Sequence, residues 1–208
     1  MNALLFALLL VLILPLVMTG WRSMLAAVSL QGLLMGWMVV QRAPLSWDAA
    51  LPLFDLLLVR GVVVPLLLYG VMRERATSRR GDARPPNMLS LMLVAVLVAV
   101  AFRFAERLDP GGAESQLRLA VSACGVLFGL FLLATQVGVF TQVAGALYIE
   151  NAIALFELDR AAGVLPVPVE MALLAVFVAS AGVYVRYVNR LSTFVAALPD
   201  DSDEAAAL

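Results

Sequence analysis

The sequence contains no histidine and one cysteine, Cys124, and every basic residue in it is arginine. Without histidine the chain lacks the commonest metal and haem ligand and the usual general base. A single cysteine excludes an intrachain disulfide, a CxxC motif and an iron–sulfur cradle. The absence of lysine excludes a Schiff-base lysine and a phosphate-loop lysine. Charge is scarce too: 14% of residues are charged, against about a quarter in ordinary soluble domains. The net charge of −1 offers nothing to nucleic acid. What is plentiful is apolar surface, 63% of the 208 residues, with a mean hydropathy of +0.98. That composition excludes a soluble globular enzyme and a disordered chain. It predicts an all-α polytopic membrane helix bundle, a single integral membrane domain over 1–208 in contact with the lipid membrane.

Seven apolar runs are legible, at 3–19, 23–41, 51–72, 88–105, 117–136, 138–158 and 168–188. Each approaches the roughly 20 residues that cross about 30 Å of hydrocarbon. They are continuously apolar and lack the period-two alternation of a membrane β-barrel. The first run has no basic flank, and Met18-Thr19-Gly20-Trp21 is a poor small-residue cleavage site, so it reads as a span and not as a signal peptide. With seven spans, Arg22, Arg73, Arg75, Arg79, Arg80, Arg84, Arg186 and Arg190 fall on one side of the membrane. Arg42, Arg103, Arg107, Arg118 and Arg160 fall on the other. The positive-inside rule puts the first group and the C-terminus in the cytoplasm and the N-terminus outside. The acidic tail within 191–208, Asp200-Asp201-Ser202-Asp203-Glu204, reads as a frayed cytoplasmic end.

Charges inside lipid-length helices cost about 2.5–3.5 kcal/mol each on insertion scales, so each needs a reason. Asp55 and Arg60 sit in the third run, Glu150 mid-way along the sixth, Glu157 seven residues later, and Glu170 at the start of the seventh. Glu150 and Glu157 lie two turns apart on one helical face. A mid-membrane carboxylate of this kind serves either as a proton relay or as glue between helices or subunits. For Glu157, beside Asp159 and Arg160, the alternative is simple solvation at the interface. Asp55 and Arg60 are five residues apart, about 140° around an α-helix, so each is expected to face a different neighbour. Glu150 then becomes the more useful partner for Arg60. Pro65, five beyond Arg60, removes a backbone donor and predicts a kink. Arg103 and Arg118 lie near span ends and read as snorkelling. Gly125 and Gly129 form a GxxxG suited to close helix packing. Trp21, Trp37 and Trp47 read as an interfacial belt. Cys124 reads as an inert packing residue.

The second and third runs can be laid over the sixth and seventh. Gln31 then corresponds to Glu150 and Asp55 to Glu170, with a Pro-bearing connection between each pair. This would be a weak parallel internal repeat, dividing the chain into a first three-helix unit at 1–73 and a second unit at 88–190. Gln31, Asn151 and Gln142 would support a polar axis.

Two stretches carry a resemblance. One runs Thr135-Gln136, Gln142-Val143-Ala144-Gly145, Ile149-Glu150-Asn151-Ala152-Ile153 and Leu155-Phe156-Glu157. The other runs Arg60-Gly61-Val62-Val63-Val64-Pro65-Leu66-Leu67-Leu68. Together they resemble the hydrogenase-4 component E family, membrane subunits of complex I-like [NiFe]-hydrogenase and formate hydrogenlyase-type assemblies. That family often has lysine where this chain has Arg60. The C-terminal half is also similar to the K-type subunit of complex I and to the C subunit of multisubunit cation/proton antiporters. In the K-type subunit, two consecutive helices each carry an embedded glutamate on a proton-conducting axis. Glu150 and Glu170 match those positions, and Gln31 stands where a third acid would sit.

The resemblance implies a non-catalytic membrane-arm subunit with Glu150, Glu170, Asp55, Arg60 and Glu157 as a proton or charge relay. Its partners would be antiporter-like membrane subunits and a peripheral redox module. The nickel–iron or iron–sulfur centres would reside in those partners, with no cofactor held by this chain. Two alternatives stay open: a purely structural scaffold in the same kind of complex, and a standalone ion transporter.

Overall fold

The computed structural model describes residues 2–17, 20–42, 47–75, 88–109, 111–136, 138–160 and 166–196, without the side chains of 42, 47–49, 74–75, 159–160 and 191–196. The acidic tail, most of the arginine-rich connection, Met18-Thr19 and the side chains of Arg42, Trp47, Asp159 and Arg160 therefore lie outside the described residues.

Among the described residues every element is helical. In chain order they are α1 (Asn2–Val17), α2 (Trp21–Arg42), α3 (Trp47–Leu53), a π-helix (Phe54–Val63), α4 (Val64–Arg75), α5 (Met88–Leu108), α6 (Ala113–Thr135), α7 (Val139–Arg160) and α8 (Val167–Ala196). The α3, π and α4 segments follow one another without interruption and form the third rod of the bundle. Six rods are long and apolar enough to cross a membrane. The first is shorter: α1 has 16 residues, about 24 Å of rise. The protein is thus a polytopic membrane helix bundle, with seven rods among the described residues, of which six meet the length of a span.

α7 is the central rod, with 61% of its apolar stretch buried, and α8 is the most peripheral at 11%. The reason is side-chain size. Gly125 and Gly129 of α6 face α7 so closely that an added Cβ would stand 2.7 Å from Ala152 Cβ and 2.6 Å from the Gly145 carbonyl. The GxxxG expected in this helix is a real helix contact, and the α6–α7 pairing is the most extensive in the bundle. α1 buries Leu5, Leu8, Leu12 and Leu16, a stripe at helical spacing, against α2 and α6. The two sequence units interleave in space: α1 packs on α6, α2 on α7 and α4 on α8. Cys124 is fully buried in α6, as its packing role requires. α5 and α8 present large apolar side chains outward, among them Met92, Val96 and Phe104 on α5 and Val176 and Val183 on α8.

Loop chemistry at the α5–α6 turn is local. Asp109 is held below the usual carboxylate range by the Ser115 hydroxyl and the Gly111 N–H. The latter donates to Asp109 Oδ1 at 2.8 Å. Arg103, 81% exposed, meets Glu106 at 3.3 Å, as a snorkelling residue should. Arg118 is more enclosed, at 15% exposure, and lies 3.6 Å from Glu114 one turn away.

The π-helix is fitted to α2 backbone to backbone. A Cβ on Gly32 would lie 2.7 Å from Gly61 N and 2.8 Å from Gly61 Cα. Substituting Gly32→Val should therefore cost about 1–3 kcal/mol through overpacking and lower the Tm of the detergent-solubilised protein. Gly70→Ala, where a Cβ meets nothing within 4 Å, should leave Tm unchanged or raise it. Equal melting of Gly32→Val and wild type in a fluorescence-detected thermal ramp would contradict this contact.

Candidate functional site

The site begins with a backbone irregularity. Over Phe54–Val63 the helix winds with i→i+5 hydrogen bonds, and its last bond runs from the Val64 N–H to the Val59 carbonyl. In that register residues five apart stand over one another. Arg60 Nε accordingly donates to Asp55 Oδ2 at 2.9 Å. This corrects the expectation from α-helical geometry that the two would face different neighbours: the angle of about 140° assumed 3.6 residues per turn, and the π-helix does not have it.

Pro65 explains where the π-helix stops. It has no N–H to give to the Gly61 carbonyl four residues back, and that carbonyl instead accepts the Ser29 hydroxyl of α2. Pro65 thus sits at the return to α winding, and α2 satisfies the acceptor it frees.

Arg60 is the hub. Its side chain is 7% exposed and that of Asp55 18%. Beyond Asp55, its Nη1 donates to the Glu150 backbone carbonyl at 3.2 Å and to Asn151 Oδ1 at 3.3 Å. The guanidinium lies 3.8 Å over the centre of the Phe177 ring on α8, a cation–π contact. Asn151 Nδ2 donates onward to Gln31 Oε1 at 3.2 Å. The Glu150 carboxylate bonds elsewhere: its Oε1 accepts the Tyr184 hydroxyl of α8 at 3.1 Å. The expectation that the Glu150 carboxylate partners Arg60 is thereby amended: its main-chain carbonyl does so.

A cavity of about 80 Å³ adjoins this thread, lined by Asp55, Arg60, Glu157 and Glu170 among Leu51, Ala154 and Leu173. It has room for several water molecules. Glu157 is half-buried on this wall and is not simply solvated. Glu170 shares the cavity with Asp55 and Glu157, while Glu150 lies deeper and off the wall. The carboxylates do not converge: no group of three or more acids, cysteines or histidines among the described residues is arranged to hold a metal ion.

The structure thus brings together seven of the eight sequence candidates: Asp55, Arg60, Glu157 and Glu170 at the cavity, with Glu150, Asn151 and Gln31 beyond Arg60. Gln142 stays apart. It lies eight residues before Glu150 on α7, about 12 Å of rise, with no side-chain bond to the cluster among the described residues. Positions paired by the proposed repeat meet in space: Gln31 bonds the neighbour of Glu150, and Asp55 and Glu170 share one cavity. Sequence reasoning missed Tyr184, Phe177 and Ser29. A phenol within an apolar span needs a hydrogen-bond partner, which was the available signal for Tyr184. Three atoms along the thread, Gln31 Nε2, Asp55 Oδ1 and Glu150 Oε2, are buried with no hydrogen-bond partner among the described residues.

No family model, curated protein or solved structure matches this chain.

Breaking the buried pair from one side leaves an uncompensated charge, at about 3–5 kcal/mol. Asp55→Asn and Arg60→Gln should each cut the yield of monodisperse protein on size exclusion and lower Tm. The double variant should recover part of the loss. Losses that simply add in the double variant would mean that the two side chains do not act as a pair.

Proposed function

We propose that this chain is a non-catalytic membrane-arm subunit of a complex I-like, redox-driven proton-translocating assembly, and that its buried carboxylates relay protons or charge. The observation that carries the reading is the polar thread itself. Asp55, Arg60, Asn151 and Gln31 are joined by hydrogen bonds, and Glu150 with Tyr184 lies beside them, inside a largely apolar bundle. Ionisable groups at this depth are expensive and are kept for ion pathways, proton relays or pairing. The thread has a cavity with Glu157 and Glu170 at one end and unused buried donor and acceptor capacity along it. A relay needs both. The resemblance to hydrogenase-4 component E supports the same assignment.

In this mechanism a redox step in a partner changes the charge near one end of the thread. The neighbouring carboxylates respond by taking up or releasing protons. Arg60 supplies the fixed cation of the thread. Its role is to hold Asp55 and Asn151 in place and set the local potential. Glu150, bonded to Tyr184, is the residue placed deepest that can change charge. Nickel–iron or iron–sulfur chemistry belongs, on this reading, to peripheral partner subunits, and antiporter-like subunits take up the protons. The arginine distribution supports a C-terminus in the cytoplasm, and the resemblance implies the inner membrane of a bacterial or archaeal cell.

The alternative of a structural scaffold draws on one observation. Arg60 is satisfied from three helical rods at once, which is also how a pure tie would be built.

One pair of measurements separates them. The tagged chain extracted from its native membrane in mild detergent should co-purify with antiporter-like subunits and a redox module. Within that complex, Glu150→Gln should leave subunit composition intact and cut redox-driven proton translocation at least tenfold, with Glu170→Gln reducing it in the same direction. Full pumping in Glu150→Gln, or loss of the complex, would favour the scaffold.

A further inference from the structure

The two ends of α7 differ in kind. Phe140 and Glu157 are seventeen residues apart, about 26 Å of rise, close to the hydrocarbon thickness of about 30 Å. At the Glu157 end lies the cavity. Its lining includes Leu51 near the start of the third rod, Leu158 near the end of α7 and Glu170 in the first turn of α8. It therefore lies toward the α7–α8 face of the membrane.

At the Phe140 end α2, the third rod and α7 meet in aromatic packing, with Trp21 and Tyr69 half-buried. Trp21 of α2 stacks at a tilt on Tyr69 of α4, ring centres 5.5 Å apart, and meets Phe140 edge-on at 6.3 Å. Phe140 is 2% exposed. Between this cluster and the level of Gln31 and Glu150 the rods contribute Val28, Leu68, Val143 and Leu147, all buried. Thr141, the buried polar side chain at that end, spends its hydroxyl on the Gly138 carbonyl of its own chain at 2.7 Å. Trp21, expected in an interfacial belt, is thus part of a seal. Trp37 faces outward, 53% exposed.

We infer that the site is a one-ended well: water and protons reach Asp55, Glu157 and Glu170 from the α7–α8 face, and Trp21, Tyr69 and Phe140 close the chain toward the α4–α5 face. The inference rests on the relay reading for what the well is for. By the arginine distribution the open face is the non-cytoplasmic one. A proton that enters here reaches Asp55, Glu157 and Glu170 and crosses no further within this chain, so translocation needs an outlet supplied by a neighbouring subunit.

The test is cysteine accessibility in the full-length chain, in its native membrane, on a Cys124→Ala background. Leu51→Cys and Leu173→Cys sample the cavity wall from two different helices, and Leu68→Cys and Val143→Cys the sealed stretch. Ser78→Cys, in the connection between α4 and α5, reports the opposite face. The probe is a membrane-impermeant, positively charged thiosulfonate, applied to spheroplasts and to inverted vesicles. The two wall cysteines should react from the face opposite Ser78→Cys, at least tenfold faster than from its own face. Leu68→Cys and Val143→Cys should react from neither. Adding Phe140→Ala should make Val143→Cys reactive from the Ser78 side.

Wall cysteines that react equally from both faces, react from the Ser78 face, or stay inert at both positions would overturn the proposal. So would a Val143→Cys that reacts from the Ser78 side with the aromatic cluster intact. Labelling needs no turnover. One-sided labelling together with full pumping in Glu150→Gln would therefore reject the relay and leave the well standing.

Discussion

The structure depends on meeting one buried cation. Arg60 sits within a lipid-length rod, where an unmet charge is costly. Its surroundings follow from that constraint. Asp55 supplies the counter-charge, Asn151 and the Glu150 carbonyl supply acceptors, and Phe177 supplies a ring face. These groups belong to the third rod, α7 and α8, and Asn151 extends the set to Gln31 on α2. Four rods are thus tied at one level by these contacts, while close packing holds the rest of their length.

The π winding is the geometric solution to pairing two charges five residues apart. An α-helix would leave Asp55 and Arg60 on different faces, and each would need a separate partner. Widening the helix aligns them, but it also brings backbone to the surface and leaves an acceptor free where Pro65 ends the segment. The bundle answers both costs on α2. Gly32 lets the Gly61 backbone approach, and Ser29 donates to the Gly61 carbonyl. π segments of this kind are concentrated at functional sites, and here one builds the wall of the cavity.

Much of this was legible before any coordinates. The rods follow from apolar runs of bilayer length, because no other backbone form satisfies its own hydrogen bonds in lipid. The candidate residues follow from charge in those runs. Gly125 and Gly129 were readable because small residues at that spacing have one common use in membranes. The Asp55–Arg60 contact was hidden because helical-wheel reasoning fixes the winding in advance. An acid, then an Arg five residues on, then a Pro five further, all within one apolar run, is the pattern that marks such a segment. The seal at Trp21 was hidden for another reason. Tryptophan near a span end satisfies the interfacial rule whether it faces lipid or its own neighbours, and only the positions of Tyr69 and Phe140 decide between them. The grouping of Glu157 and Glu170 around one cavity depends on how α7 and α8 are placed, which no local pattern encodes.

The spacing of Arg60 from its contacts also has a meaning in time. Its α7 acceptors lie 90 and 91 residues further along the chain. At a synthesis rate of about 5–20 residues per second, α7 emerges roughly 5 to 18 seconds after Arg60 does. During that wait the arginine has to enter the bilayer without Asn151, Glu150 or Phe177. Asp55, five residues ahead of it, is already made. A counter-charge carried in the same rod makes Arg60 insertable before the bundle exists to receive it, so the ion pair acts as the arginine's escort during biogenesis before it becomes part of the finished site.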